Sequence, residues 1–519
     1  MALQGYTLPP PYNGLDVVSP IDQMDPASAL ELVNVFPSAS APAVRLGYVN
    51  FIDPALSDSV TFLAAYNRTN GTSELIAATD TTLDSINSAG VVTSLTGTTT
   101  PTSGEWQTVT FAGRIYLCNG VDNTQVYNGT TIADVTFTGV GIDDLINVCV
   151  YKERLYFVEA NTTKVWYGGL QVTGTGGTPA LTSFDFGYVF SRGGYLVGIG
   201  SYSNSNNVAA QDYFYACSSE GEIVFYSGTY AGDPTTWGLV AKFYIGKPLG
   251  YRAFVRVNND VWIITRQGIV PVSALFQSDP ESALQSLSRK VNPLISAAAN
   301  SFPFDHQWSG FFWPQGRRVY ISIPSTGGAC YFLVYSLDLK SWTTFKLYSD
   351  SHALSSCLYL DLPFYGADSG MVYKGETGLC DAFDGTNGES INYDIRTAFN
   401  YFDSRGNYKT FKDIRPLLET KKGISLRLGI DTDFQRQSTL PAISTAPGAF
   451  TPWSTTGGPS SSGYVPWGSA WSSPTSYVFD RFATKGQGHC GAIRCSGSIK
   501  NATLKFLAFE VRFDLGGQV

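Results

Sequence analysis

Residues Gly113–Gly129 read GRIYLCNGVDNTQVYNG. Two runs of alternating apolar and polar residues flank a turn rich in Gly, Asn and Asp, which is the pattern of a β-hairpin. The unit recurs on both sides: VTFLAAYNRTNGTSELIAAT at Val60–Thr79, ERLYFVEANTTKVWYGG at Glu153–Gly169 and DYFYACSSEGEIVFYSG at Asp212–Gly228. NDVWIITRQGIVPVS at Asn259–Ser273, the longer run Arg317–Phe345 and CLYLDLPFYGADSGMVYKG at Cys357–Gly375 continue it. The equivalent positions Tyr116, Tyr156, Tyr215, Trp262 and Tyr320 lie about 40 to 60 residues apart, the length of a four-stranded β-propeller blade with insertions. Stacked sandwiches would also repeat hairpins, but the spacing favours an all-β propeller of six or seven blades over residues 51–390.

Two segments depart from this texture. DQMDPASALELVNVFP, Asp22–Pro37, pairs a capping Asp25 with Pro26 at a first helical position and an apolar stripe, and predicts a short helix on an N-terminal arm, residues 1–50. Ser278–Ala299 repeats the Asp-Pro device and predicts a helical insertion between blades. From Ile391 long alternating strands predict a separate β-sandwich-like domain over 391–519. Its loop, residues 438–476, carries Trp453, Tyr464, Trp467 and Trp471 and reads as a candidate interaction loop.

The 519 residues are 43% apolar, enough for a real core, yet only 15% charged, below the usual ~25%. Low charge with 14% aromatics suits strands, tight turns and surfaces covered by partner subunits. The net charge of −8 lacks a nucleic-acid footprint. Lys409, Lys412, Arg415, Lys421 and Lys422 are interleaved with acids and read as a solvated strand face. The opening residues have neither the charged nor the apolar region of a signal peptide, and no run is long and apolar enough to predict a membrane span. Eight cysteines in so long a chain, several inside strand-like runs, read as buried thiols rather than a disulfide framework.

Signals for chemistry are sparse. The three histidines form no local catalytic signature, and there is no nucleophile elbow, phosphate loop or dinucleotide fingerprint. HCGAIRC, His489–Cys495, fits no zinc module. DAFDGTNGE offers Asp381, Asp384, Asn387 and Glu389 as oxygen ligands for calcium but misses the EF-hand spacing, and a polar turn between domains is the other reading. SLDLKSW approaches the Asp box of sialidases, but Lys340 stands where that motif needs Gly. The sequence therefore reads as a non-enzyme with no cofactor.

The two ends carry a resemblance. Gly14, Leu15, Val17, Asp25, Pro26, Ala29, Leu32, Asn34, Pro37, Arg45, Gly47 and Tyr48 resemble the opening of the tail nozzle (tail tubular protein B) family of short-tailed bacteriophages. TAFNYFDSRGNYKTFKDIRPL and the closing GAIRCSGSIKNATLKFLAFEVRFDLGG are similar to the same family. The resemblance implies a structural virion protein of the tail, assembled in the bacterial cytoplasm as a homohexameric ring below the adaptor (head–tail connector) protein. Such a ring passes double-stranded DNA during ejection and carries tail fibres or tailspikes. It makes Leu15, Asp25, Pro26, Leu30, Asn34, Arg45, Gly47 and Tyr48 candidates for an assembly arm docking on the propeller or on a neighbour. The alternative from a different class is a receptor- or glycan-binding propeller, or, further off, a propeller glycosidase.

Overall fold

Ala112 and Gly113 both have positive φ, 49° and 70°, and join Gln107–Phe111 to Arg114–Cys118 through a two-residue hairpin turn of the kind that matches strand twist. Gln125–Tyr127 and Ile132–Asp134 extend this pair into a four-stranded sheet in strict sequence order. The computed structural model describes residues 3–206, 209–276, 287–326, 330–348, 352–420, 424–437, 439–445, 476–478 and 480–518. Among them, seven such meanders of three or four strands follow one another, and the chain is a β-propeller joined to a β-sandwich.

The propeller is one compact unit, residues 50–334 with 349–375. Its blades begin with the strands Phe62–Asn67, Gln107–Phe111, Leu145–Tyr151, Leu196–Asn206, Phe254–Val257, Gly310–Trp313 and Ala353–Tyr359. Cores lie between consecutive blades. Phe62, Tyr66 and Ile76 of the first pack on Ile115, Leu117 and Tyr127 of the second, and Tyr151, Tyr156 and Phe186 of the third on Phe214 and Tyr226 of the fourth. These blades carry apolar residues on both sheet faces, so each face needs a neighbouring blade to cover it. The repeat aromatics Tyr116, Tyr156, Tyr215, Trp262 and Tyr320 are all buried on the second strand of their blades. Tyrosine hydroxyls tie blade to blade: Tyr66 donates to Gly113 O at 2.7 Å and Tyr116 to Thr173 O at 2.7 Å. The ring closes where Tyr359 of the last blade donates to Ser73 O of the first at 2.8 Å. Residues before the first blade finish the last one, with the Phe51 N–H on Val372 O at 2.8 Å.

The second unit combines residues 1–49, 335–348 and 376–519. One sheet is built on the long strands Asn407–Thr420 and Leu504–Gln518, with Phe482–Gly488 beside the first. The other contains Ile391–Thr397, Gly491–Ile499 and Ile424–Thr432. The sheets face each other through contacts such as Tyr393 on Phe506, with ring centroids 5.8 Å apart.

This arrangement corrects the reading of the N-terminus. Residues 22–37 hold no helix: Ala29–Val33 and Val35–Phe36 are strands. Asp25 is not a helix cap; its carboxylate accepts the Ala27 N–H at 2.8 Å and the Asn13 amide at 2.9 Å, closing a turn that leads into the strand. A helix this short is marginal alone. Here Ile391–Thr397 on one side and Ser341–Phe345 on the other offer backbone partners to Ala29–Val33, so the tertiary ladder overrides the local cap signal.

Nor is residues 1–50 a separate arm. Leu3–Leu8 pairs antiparallel with Leu504–Gln518, and the short strand Ala43–Val44 joins the same sheet, so the segment is woven into the sandwich of its own chain. The boundary expected at residue 390 moves, because residues 335–348 and 376–390 belong with the sandwich. Of the helical insertion expected over 278–299, the described part is a 3-10 turn at Arg289–Val291 and a helix at Asn292–Ser301; residues 277–286 lie outside the described residues.

Leu32 sits on the inserted strand with no exposure to solvent. Leu32→Ala is expected to destabilise the sandwich by about 2–5 kcal/mol in chemical denaturation. The half-buried Leu30→Ala is expected to cost less.

Candidate functional site

Four residues singled out near the N-terminus, Asn34, Arg45, Gly47 and Tyr48, gather around one buried charge. Asn34 adopts φ 57°, a conformation asparagine tolerates, which breaks the inserted strand and turns its side chain inward. Its amide donates to Asn392 O at 2.7 Å, and its oxygen accepts both the Arg45 Nε–H at 3.1 Å and the Lys346 N–H at 2.9 Å. Arg45 then meets Asp381 through both terminal nitrogens, at 2.7 and 2.6 Å. Its two remaining N–H groups reach Leu46 O at 2.9 Å and Lys346 O at 3.0 Å. All five guanidinium donors are thus used. Phe345 stacks below the cation at 4.7 Å, and both members of the pair are nearly solvent-free. Burial pushes the Asp381 carboxyl up, and the guanidinium opposes that shift.

The neighbours are fitted to this node. A Cβ at Gly47 would stand 1.8 Å from Cys380 O, so only glycine lets the strand close on the segment beside Asp381. Tyr48 is buried, and its hydroxyl accepts the Tyr348 N–H at 2.9 Å. Leu15 is buried with its N–H on Trp342 O at 2.7 Å, Leu30 packs on Phe399, Cys490 and Ala492, and Pro26 follows the Asp25 turn. The eight residues expected in a docking arm are therefore placed inside or at the edge of their own sandwich.

The same pair takes up one of the four oxygen ligands that the sequence offered for calcium. Asp381 is committed to Arg45, while Asp384 accepts the Thr386 and Asn387 N–H groups at 2.8 and 2.6 Å in an exposed turn that holds its carboxyl below the usual range. Glu389 pairs with Asp381 through the backbone only. The four candidate ligands do not face a common point. Among the described residues, no group of three or more His, Cys, Asp or Glu side chains is gathered as a metal site. Trp453, Tyr464, Trp467 and Trp471 lie outside the described residues. Lys412 and Arg415 sit on a strand face opposite Asp514 and Glu510, with ion pairs at 3.1 and 3.2 Å, whereas Lys409 is buried and donates to His489 O at 2.7 Å.

Sequence reasoning missed the propeller channel. A cavity of about 270 Å³ is lined by residues of the first strands of the blades or just before them, among them Leu63, Gln107, Asn147, Ile199, Phe254, Gly310 and Ser355. Arg252 projects at the starting ends of these strands. It reaches from the fifth blade to the first and second, on the far side of a seven-membered ring. It donates to Thr61 O at 2.8 Å, Gly104 O at 3.4 Å and Trp106 O at 3.0 and 3.3 Å. Burial lowers its pKa to about 10. A second strut spans the same end: Glu105 meets the His306 Nδ1 at 2.7 Å, and this contact holds the Glu105 carboxyl below its ordinary value. Farther along the inner strands a second cavity of about 360 Å³ is lined by Thr110, Cys149, Ser201 and Arg256. A lone Arg and a lone His in loops give no periodic signal, so only the closed ring assembles them.

Two outcomes test these sites. Asp381→Ala is expected to cost about 3–5 kcal/mol, because it strands a buried guanidinium, and the paired change Arg45→Met with Asp381→Leu is expected to recover most of it. The strut at the channel should be acid-sensitive. A carboxyl depressed on folding stabilises above its ordinary range, ~4.3, and loses that contribution as pH falls through the depressed value. The Tm difference between the parent and Glu105→Gln is therefore expected to be largest near neutrality and to close under acid.

No family model matches the chain, and no curated protein matches it. Among solved structures it is similar to a streptogramin B lyase structure, at 11% identity and a TM-score of 0.40, over 65% of this chain and 99% of that one. It is also similar to a chain in the crystal structure of a mitotic checkpoint complex, at 8% identity and a TM-score of 0.37, over 69% of this chain and 94% of that one.

Proposed function

We propose that the chain is a structural protein of a short-tailed phage, the nozzle ring through which DNA leaves and on which fibres or spikes are mounted. One observation carries this reading: the family-like residues at the two ends of the chain, far apart in sequence, belong to a single compact unit, and several of the N-terminal ones enclose a buried ion pair. Gly14 adds to it, since its φ is 75° and a Cβ there would stand 2.5 Å from Trp342 O. Such positions tolerate little substitution because the geometry, not an activity, demands them. The net charge of −8 suits a tube wall that phosphates slide past rather than bind. The sandwich, rather than a loose arm, is the part proposed to meet the adaptor and neighbouring copies.

The expected outcome is six copies per virion, with antibody to this chain decorating the distal tail in negative stain. Absence from virions, or a location in the head, would overturn the proposal.

A further inference from the structure

The propeller channel holds a cation with no direct ion pair among the described residues: Glu105 and Asp305 act on Arg252 only through space. Arg252 makes four hydrogen bonds, all to backbone carbonyls, and the second N–H of its Nη1 has no hydrogen-bond partner among the described residues. No carboxylate stands within 4.0 Å of it among the described residues; the nearby Glu105 and Asp305 are both turned to His306, at 2.7 and 3.4 Å. The carbonyls fix the guanidinium in place but neutralise nothing. A half-buried cation held only by carbonyl dipoles gains from an anion placed directly beside it.

The cavity around Arg252 has a specific chemistry. Arg252 is the one charged side chain on its described wall. Gln107, Thr108, Asn147 and Ser309 supply neutral amides and hydroxyls. Phe254 and Tyr215 stack on each other at 6.0 Å and present aromatic surface to the same space, and Phe62 lies under the guanidinium at 5.1 Å. One fixed cation calls for one anionic group. Several neutral donors and acceptors call for hydroxyls. Aromatic walls suit the C–H faces of a small ring.

We infer that the propeller channel is a binding site for a small, polyhydroxylated monocarboxylate of the sugar-acid class, with its carboxylate on Arg252 and its hydroxyls on the amide and serine wall. The site lies wholly within the propeller and does not depend on the nozzle reading.

Calorimetric titration of the full chain with D-glucuronate, its neutral amide glucuronamide, and acetate tests this. Glucuronate is expected to bind at least about tenfold more tightly than glucuronamide, which lacks the charge, and than acetate, which lacks the hydroxyls. Arg252→Gln is expected to abolish binding. Because Arg252 also braces the ring, Gln107→Glu provides a variant that keeps the brace and places a carboxylate in the cavity; it is expected to weaken glucuronate at least about tenfold while the Tm is kept or raised. Absence of glucuronate binding, equal binding of glucuronamide, or binding unchanged in Gln107→Glu would each overturn the proposal.

Discussion

The bidentate pair between Arg45 and Asp381 is the contact around which the sandwich is organised. It joins residues 336 positions apart and draws in Lys346 from a third stretch of chain. A buried ion pair is not by itself a source of stability, since desolvation of both charges offsets their attraction. Its consequence is specificity. Five donors in one planar fork must each find an acceptor, and only one relative placement of Asn34, Leu46, Lys346 and Asp381 supplies them. A register slip along the inserted strand would leave a guanidinium unsatisfied in the core. Gly47, Asn34 and Tyr48 are then constrained because each shapes the space or the hydrogen bonds around that fork.

The propeller answers a different constraint. Its blades have no single core, and each interface is made from aromatic and branched residues of two neighbours, with the ring closed by contacts between the last blade and the first. Residues such as Leu63, Gln107, Asn147 and Ile199 on the inner strands line a cavity there. The struts made by Arg252 and by Glu105 with His306 cross that channel at one end. They couple blades that share no sheet edge. They also place a cation with no direct carboxylate partner on the cavity wall, so stability and any recognition of an anion act through the same side chain.

Much of the architecture was legible. The recurring hairpins marked out the blades, because alternation and turn chemistry are local properties that a meander uses directly. The buried aromatic on the second strand of five blades was readable as a repeat. Some turns were not signalled. Lys152 and Glu153 carry positive φ of 46° and 60°, as do Leu360 and Asp361 at 49° and 60°, although most of these residue types do not announce such a turn. Strand twist on both sides imposes it.

What the sequence determined by itself was the all-β character, the blade repeat and the change of texture near Ile391; the N-terminal residues it singled out only by resemblance. What only the tertiary structure decided was their role. Asp25-Pro26 serves equally well to cap a helix or to close a turn, because both use a carboxylate accepting a nearby N–H. The choice fell to the strand because the two flanking strands presented unpaired backbone on either side. Asp381 read as part of a polar turn or as one of several oxygen ligands, and it was Arg45, from the far end of the chain, that claimed both its oxygens. Arg252 carried no signal at all. Its meaning is a position in a closed ring, and a ring closes through contacts between residues that the chain itself keeps far apart.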